Sequence, residues 1–164
     1  MIVGIVSDTH DNLPKIRAAV SALKEKNVEV VLHAGDVNSA FAAREFASLG
    51  CRFVATFGNN DGDRLLLYKT ITGFGGEVIY PRAHLRLGDK QLALFHGEDT
   101  SLVESAASSQ LYDYVVVGHT HEVVQRRVGR ALLLNPGECC GYLTGRATLM
   151  VLDTSANEVS LLEL

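Results

Sequence analysis

Seven oxygen- or nitrogen-bearing side chains recur at five points of this 164-residue chain: Asp8 and His10, Asp36, Asn59, His96, and His119 with His121. They stand in the strings Ser7-Asp8-Thr9-His10, Ala34-Gly35-Asp36-Val37, Gly58-Asn59-Asn60-Asp61, Phe95-His96-Gly97-Glu98 and Gly118-His119-Thr120-His121, most of which follow directly on an apolar run. Carboxylate, imidazole and amide-oxygen ligands together suit divalent first-row ions such as manganese, iron, zinc or cobalt. No cysteine belongs to the set, which speaks against a structural zinc site. Seven ligands are too many for one such ion. They suit two ions if one carboxylate bridges, and Asp36, central in the ligand order, is the natural bridge. Two ions about 3.5–4 Å apart can hold a bridging hydroxide and clamp the oxygens of a phosphoryl group.

Taken singly, each string has a plainer explanation. Asp8 with His10, or Gly35 with Asp36, would serve as a strand-end turn. Asn59 after Gly58 also favours a turn. His119 and His121 point more strongly to a metal, because imidazole is the commonest ligand. The ordered combination, with four of the six histidines inside it, is what carries the metal reading. Asp61 is expected to orient a ligand from behind rather than to bind metal. His33, inside an apolar segment, is expected to be a hydrogen-bonded core residue, and His84 to lie at the surface or in a hairpin. The runs Leu65-Leu66-Leu67 and Leu132-Leu133-Leu134 read most simply as core.

The elements that position these residues alternate early. Residues 2–7 form a near-continuous apolar run, as in a strand of a parallel sheet buried on both faces. Asn12 is an N-cap candidate with Pro14 in the first turn behind it. Leu13, Ile16, Val20 and Leu23 then repeat with helical spacing, with Lys15, Lys24, Glu25 and Lys26 outward. Residues 28–33 and 51–57 are further strands. Between them Asn38 or Ser39 caps a helix running through Leu49 and stopped by Gly50. This β-α-β-α-β order places the chemistry at the carboxyl ends of strands, where open α/β sheets carry their sites. In the second half, residues 64–72 and 101–109 read as helices. Hairpins are expected at Gly88-Asp89 (residues 84–87 with 91–95) and Gly129-Arg130 (123–128 with 131–134). A buried strand at 114–117 leads into Gly118-His119. A final strand pair covers 147–152 and 159–164. Gly73-Phe74-Gly75-Gly76 reads as a flexible loop near the site. The expected architecture is an α/β fold with a two-layer β core, parallel early and more antiparallel late, and helices outside.

The length suits one domain, residues 1–164. The net charge of −4 argues against binding nucleic acid by blanket phosphate neutralisation. Two divalent cations would cancel that charge, so the centre is more attractive to anions than the bare chain suggests. No apolar run approaches the ~18 residues of a membrane span. Met1 runs straight into Ile2-Val3-Gly4-Ile5-Val6 without a basic leader. The expectation is a cytoplasmic protein with no membrane partner. Cys51, Cys139 and Cys140 are odd in number, two of them adjacent, which fits reduced thiols better than a disulfide framework.

Asp8-x-His10, Gly35-Asp36, Gly58-Asn59-x-Asp61, His96-Gly97 and Gly118-His119-x-His121, in this order, resemble the motifs of the calcineurin-like metallophosphoesterases. The short chain and the string Gly58-Asn59-Asn60-Asp61 resemble the small phosphodiesterase branch of that superfamily. The resemblance spans residues 3–138 and closes on Asn135-Pro136-Gly137-Glu138, which is similar to the Asn-Pro-Gly-Ser turn of the branch. It implies a four-layer α/β/β/α sandwich, two mixed sheets flanked by helices. It also implies divalent-metal-dependent hydrolysis of small phosphodiesters through a metal-bridging hydroxide. The implied cofactors are two divalent ions, manganese first, with iron, zinc, nickel and cobalt as alternatives. Asp8, His10, Asp36 and His121 would hold one ion. Asp36, Asn59, His96 and His119 would hold the other.

Two positions depart from the family pattern. Many members carry a histidine after Gly-Asn, where this chain has Asn60; a positioned general acid is worth about 10²–10⁴-fold. The small branch also tends to lack it, and Asn60 can still donate a hydrogen bond to a phosphate oxygen. Glu98 replaces a histidine common after His-Gly in the branch. Two other functions fit the same resemblance. A retromer subunit shares the fold as a non-catalytic interaction scaffold with some ligands lost, and DNA-repair nucleases belong to the superfamily. All seven ligand positions are filled here, and neither a capping domain nor a basic stripe is visible. The exposed hairpin edge leaves room for a homo-oligomer.

Overall fold

Ile2–Val6 (β1) offers apolar side chains to both sides and is buried on both. In the computed structural model, which describes residues 1–164, β1 sits at the centre of a six-stranded sheet. Asn12 caps α1 (Leu13–Glu25), its side chain accepting from the Lys15 N–H, with Pro14 in the first turn. Ile16, Ala19, Val20 and Leu23 form the buried face of α1. β2 (Val30–His33) and β3 (Arg52–Ala55) follow, parallel to β1. Ser39, not Asn38, caps α2 (Ala40–Glu45). The single helix expected through Leu49 is divided: Phe46–Ser48 tightens into a 3₁₀ turn, as helix ends often do, and the chain reverses at Gly50 with φ +72°.

Asp63 caps α3 (Arg64–Gly73), and only Leu67 and Ile71 of this helix are buried. The expectation that Leu65-Leu66-Leu67 is core therefore fails for two of the three: Leu65 is 65% and Leu66 46% exposed. Successive helical residues point about 100° apart, so a helix packed on one face cannot bury three in a row. The loop Gly73-Phe74-Gly75-Gly76 is also not where it was expected. It leads into β4 (Glu77–Val78), which runs parallel to β3 with Glu77 opposite Val54. Gly76 therefore packs beside Phe53 at the amino end of the strands, away from the metal-ligand loops.

The second sheet holds β5 (Ala83–Leu87), β6 (Lys90–Leu94), β7 (Tyr114–Val116), β8 (Val123–Val128) and β9 (Ala131–Pro136), in the order β5-β6-β7-β9-β8. β10 (Thr148–Asp153) and β11 (Glu158–Glu163) return to the first sheet and complete the order β11-β10-β1-β2-β3-β4. Both sheets are mixed. The two hairpins at Gly88-Asp89 and Gly129-Arg130 form as expected. α4 (Thr100–Ser108), capped by Asp99, covers the second sheet from outside.

Three apolar layers follow from this arrangement. α1, α2 and α3 pack on the first sheet through residues such as Ile16, Phe46, Leu67 and Val31. The sheets face each other through Ile5, Leu32, Leu92, Tyr114 and Leu134. Val103 and Ala107 of α4 meet Val115 and Leu133. The result is the α/β/β/α sandwich. Leu132 and Leu134 enter the middle layer and Leu133 the outer one, so that leucine run is core, because a central strand buries both faces. No helix is long and apolar enough to cross a membrane.

Candidate metal centre

The carboxyl ends of β1, β2 and β3 in one sheet and of β6, β7 and β9 in the other converge on one edge of the sandwich. Backbone bonds hold them together. The Asp8 and Thr9 N–H groups donate to Gly35 and Asp36 carbonyls (3.1 and 3.0 Å), and Gly118 N–H donates to the His96 carbonyl (2.8 Å). Cys139 and Cys140 N–H groups cross from β9 to the Ser7 and Asp8 carbonyls (2.9 and 3.0 Å). The loops leave the strands abruptly. Asp8, His10, Asp36, His119 and His121 all have positive φ, between 38° and 69°. Asp and His tolerate this region better than most residues, yet it costs on the order of 1–3 kcal/mol for each and persists only where the surroundings enforce it.

These turns bring all seven side chains into one continuous chain of contacts. His121 Nε2 lies 3.4 Å from Asp8 Oδ1, and His10 Nε2 lies 3.7 Å from the same oxygen. Asp36 Oδ2 stands between His10 Nε2 at 3.6 Å and His96 Nε2 at 3.4 Å. Asn59 Oδ1 joins His96 Nε2 and His119 Nδ1, 3.0 Å from each. The imidazoles fall into two pairs, His10 over His121 at 5.2 Å and His96 against His119 at 5.1 Å. Asp36 lies between the two imidazole pairs, within 3.6 Å of His10 on one side and 3.4 Å of His96 on the other.

Groups behind the cluster aim the ligands. His96 Nδ1–H donates to the Ala34 carbonyl at 2.7 Å, which leaves Nε2 for the centre. The Asp61 carboxylate accepts from the Asp36, Asn38 and Gly58 N–H groups at 3.1, 2.8 and 2.7 Å and so ties the Asp36 and Asn59 loops together. Burial pushes its pKa up, against these donors. Asn60 donates from its N–H and from Nδ2 to the two oxygens of Asp36, both at 2.8 Å. Burial disfavours the Asp36 anion, but His96 and Asn60 hold its pKa well below the usual carboxylate range. Glu98 is exposed beyond His96-Gly97.

Sequence reasoning missed Glu138. It is fully buried, and its Oε2 accepts from His121 Nδ1 at 2.7 Å. The same carboxylate accepts from the Leu143 and Thr144 N–H groups (2.9 and 2.5 Å), the Thr144 hydroxyl (2.7 Å) and the Cys140 thiol (3.1 Å). Burial opposes its charge, yet His121 and Thr144 bring its pKa down to about 2. An ionised carboxylate only accepts, so His121 must carry its proton on Nδ1 and turn Nε2 inward. The one available signal was position: Glu138 ends the turn that follows β9, where the related branch has serine.

The chemistry of the donor set fits divalent ions. Asp8 Oδ1 and His10 Nε2 are buried and have no hydrogen-bond partner, an arrangement that is costly unless something else binds there. Asp8, His10 and His121 offer ligand atoms within 4.8 Å of one another, and so do Asp8, Asp36 and His96. Glycines let the carboxylates sit this deep. A Cβ on Gly58 would lie 2.2 Å from Asp36 Oδ1, and one on Gly118 would lie 1.8 Å from Ser7 Oγ and 2.7 Å from Asp8 Oδ2. The cysteines are free, and burial pushes the Cys139 and Cys140 thiols up to about 12. His33 is core, bonded through Nε2 to the Thr9 hydroxyl at 3.1 Å. His84 lies exposed on β5 against the Tyr112 hydroxyl. Such a cluster, with buried carboxylates on its floor and Asn59 exposed at its rim, can hold two cations and present them to a small anion.

Comparison with known proteins is consistent with this chemistry. The model of the calcineurin-like phosphoesterase superfamily domain matches residues 1–157. Phosphodiesterase MJ0936 of Methanocaldococcus jannaschii is 45% identical over 159 residues, covering 96% of each chain. A solved structure characterised as a novel archaeal phosphodiesterase superposes with a TM-score of 0.95 at 42% identity over the whole of both chains. Vps29 of Entamoeba histolytica complexed with Zn²⁺ shares the fold, with a TM-score of 0.74 at 20% identity over 99% of this chain and 91% of its own.

Proposed function

The chain belongs to the calcineurin-like phosphoesterase superfamily, a family of metal-dependent hydrolases, and from that premise we propose that it is a phosphodiesterase acting on small phosphodiesters. Asp8, His10, Asp36 and His121 would hold one divalent ion and Asp36, Asn59, His96 and His119 a second, manganese being the first choice. When bound, the two ions would supply a hydroxide nucleophile at neutral pH and positive charge against the phosphoryl oxygens.

The chain's own residues do the positioning. Ala34 and Glu138 fix the proton on the outer nitrogens of His96 and His121. Asp61 keeps the Asp36 and Asn59 loops at a fixed separation. Asn60 spends one amide hydrogen on Asp36; its second hydrogen is free to donate to a phosphate oxygen. No histidine stands at position 60 to protonate the departing alkoxide, so esters with good leaving groups are favoured. The pair of orphaned ligand atoms, Asp8 Oδ1 and His10 Nε2, is the observation that carries this reading. The test is turnover of bis(p-nitrophenyl) phosphate with added manganese. Asp36→Ala should abolish it, because that carboxylate belongs to both ligand sets. Folded protein that turns over nothing across several divalent metals, and holds no metal by elemental analysis, would instead be an interaction scaffold.

A further inference from the structure

One cation on the rim of the metal centre has no acidic partner. Arg64, the first residue of α3, donates from Nη2 to the Gly58 carbonyl at 2.9 Å. Its guanidinium carbon lies 4.7 Å from the Tyr80 ring centre and 5.5 Å from that of Phe57, and the two rings are 5.8 Å apart. Arg64 is one of five arginines without a carboxylate partner, with Arg44, Arg82, Arg86 and Arg127, and of these five it alone stands beside the Gly58-Asn59 loop. The three groups form a mutual cluster, the two rings tilted at 52° to each other, and a guanidinium set against aromatic rings in this way is weakly hydrated and restrained in position.

The stack stands at the working edge of the molecule. Phe57 lies two residues before Asn59. Tyr80 follows β4, and the pairing of Val78 with Ala55 puts it beside the carboxyl end of β3. Only the Gly58–Asn59 peptide separates the acceptor of Arg64 from the Asn59 side chain, a span of about 10 Å at most. Tyr80 is 51% exposed although Arg64 lies over its ring. An aromatic ring so placed, rigid and half open, is a stacking surface: every planar base or aryl group has a π-face to lay against it.

We propose that Tyr80, braced by Arg64 and Phe57, is the platform on which a nucleobase on the retained arm of the phosphodiester stacks, while the phosphate lies over the metal centre. The proposal rests on the phosphodiesterase reading and adds to it a preference among substrates.

Two measurements on the manganese-loaded protein test it. One compares kcat/KM for the p-nitrophenyl ester of thymidine 5′-monophosphate with that for methyl p-nitrophenyl phosphate, which share a leaving group. The other compares the calorimetric Kd of thymidine 5′-monophosphate with that of methyl phosphate. The wild type should prefer the thymidine member in both by at least about fivefold, the lower end of base–aromatic stacking. Tyr80→Phe should keep that ratio and Tyr80→Ala should bring it close to one. A residue that merely braced the Gly58 loop would weaken both members alike and leave the ratio standing, which overturns the proposal, as does a wild type without preference. Preferential binding with no turnover of either ester would remove the phosphodiesterase reading and retain the platform. Turnover without preference would do the reverse.

Discussion

Replacing Glu138 by glutamine changes one atom and should invert the chemistry of a ligand 17 positions away in sequence. In the wild type, Glu138 is 0% exposed and its Oε2 is 2.7 Å from His121 Nδ1. The glutamine carbonyl can keep the bonds to the Leu143 and Thr144 N–H groups and the Thr144 hydroxyl. Its NH₂ group then faces His121 Nδ1, so that nitrogen must accept, and the imidazole proton moves to Nε2. That nitrogen is the one directed at Asp8 Oδ1, 3.4 Å away. Binding a cation there would require the unfavoured tautomer. Loss of a partner behind a metal-bound histidine typically costs 10–100-fold in affinity, about 1.4–2.7 kcal/mol. The upper end is expected because a negative charge is removed as well. Calorimetric titration of metal-free protein with manganese should show one of two sites weakened and the other, built on His96 and His119, retained. Folded Glu138→Gln protein that binds both ions within twofold of wild type would refute the reasoning.

Acid should weaken the fold through His33. The Gly35 N–H donates to its Nδ1 at 3.2 Å and Nε2 faces the Thr9 hydroxyl, so a second ring proton would oppose a donor. Burial lowers its pKa from 6.5 to about 4. The unfolded chain then takes the proton first. The stabilisation is complete above pH ~6.5 and is lost as pH falls toward 4, about 3 kcal/mol in all. Urea unfolding at pH 7 and 4.5 should show a smaller fall in His33→Gln than in wild type; equal falls would contradict this account. On α3, Leu67→Ala should cost about 2–5 kcal/mol and Leu65→Ala no more than about 0.5 kcal/mol, read from denaturant midpoints. Similar costs at the two positions would mean that α3 buries a different face.

The sandwich and the seven-residue cluster were legible because their signals are local. Apolar runs give strands, and Gly-Asp, Gly-Asn and Gly-His at their ends give the turns that carry the ligands. Glu138 was not legible. A carboxylate with no exposure is rare, and its partner His121 is reached only across the β8–β9 hairpin. The leucine run of α3 misled for a related reason: composition signals core, whereas helical geometry rations it. Glycine content at residues 73–76 suggested mobility near the site, but only the parallel pairing of β3 and β4 decides at which end of the sheet that loop falls. The Arg64 stack unites residues 57, 64 and 80, three segments with no shared motif.

The left-handed turns at the ligand positions carry a consequence for how such a protein can change over generations. His119 holds φ 69° on the rim, with its backbone N–H on Asp8 and its ring on Asn59. Glycine adopts that backbone freely, so His119→Gly would relieve a local penalty while removing a ligand. Histidine at this position therefore sets the fold's own backbone preference against whatever its ring is there to hold.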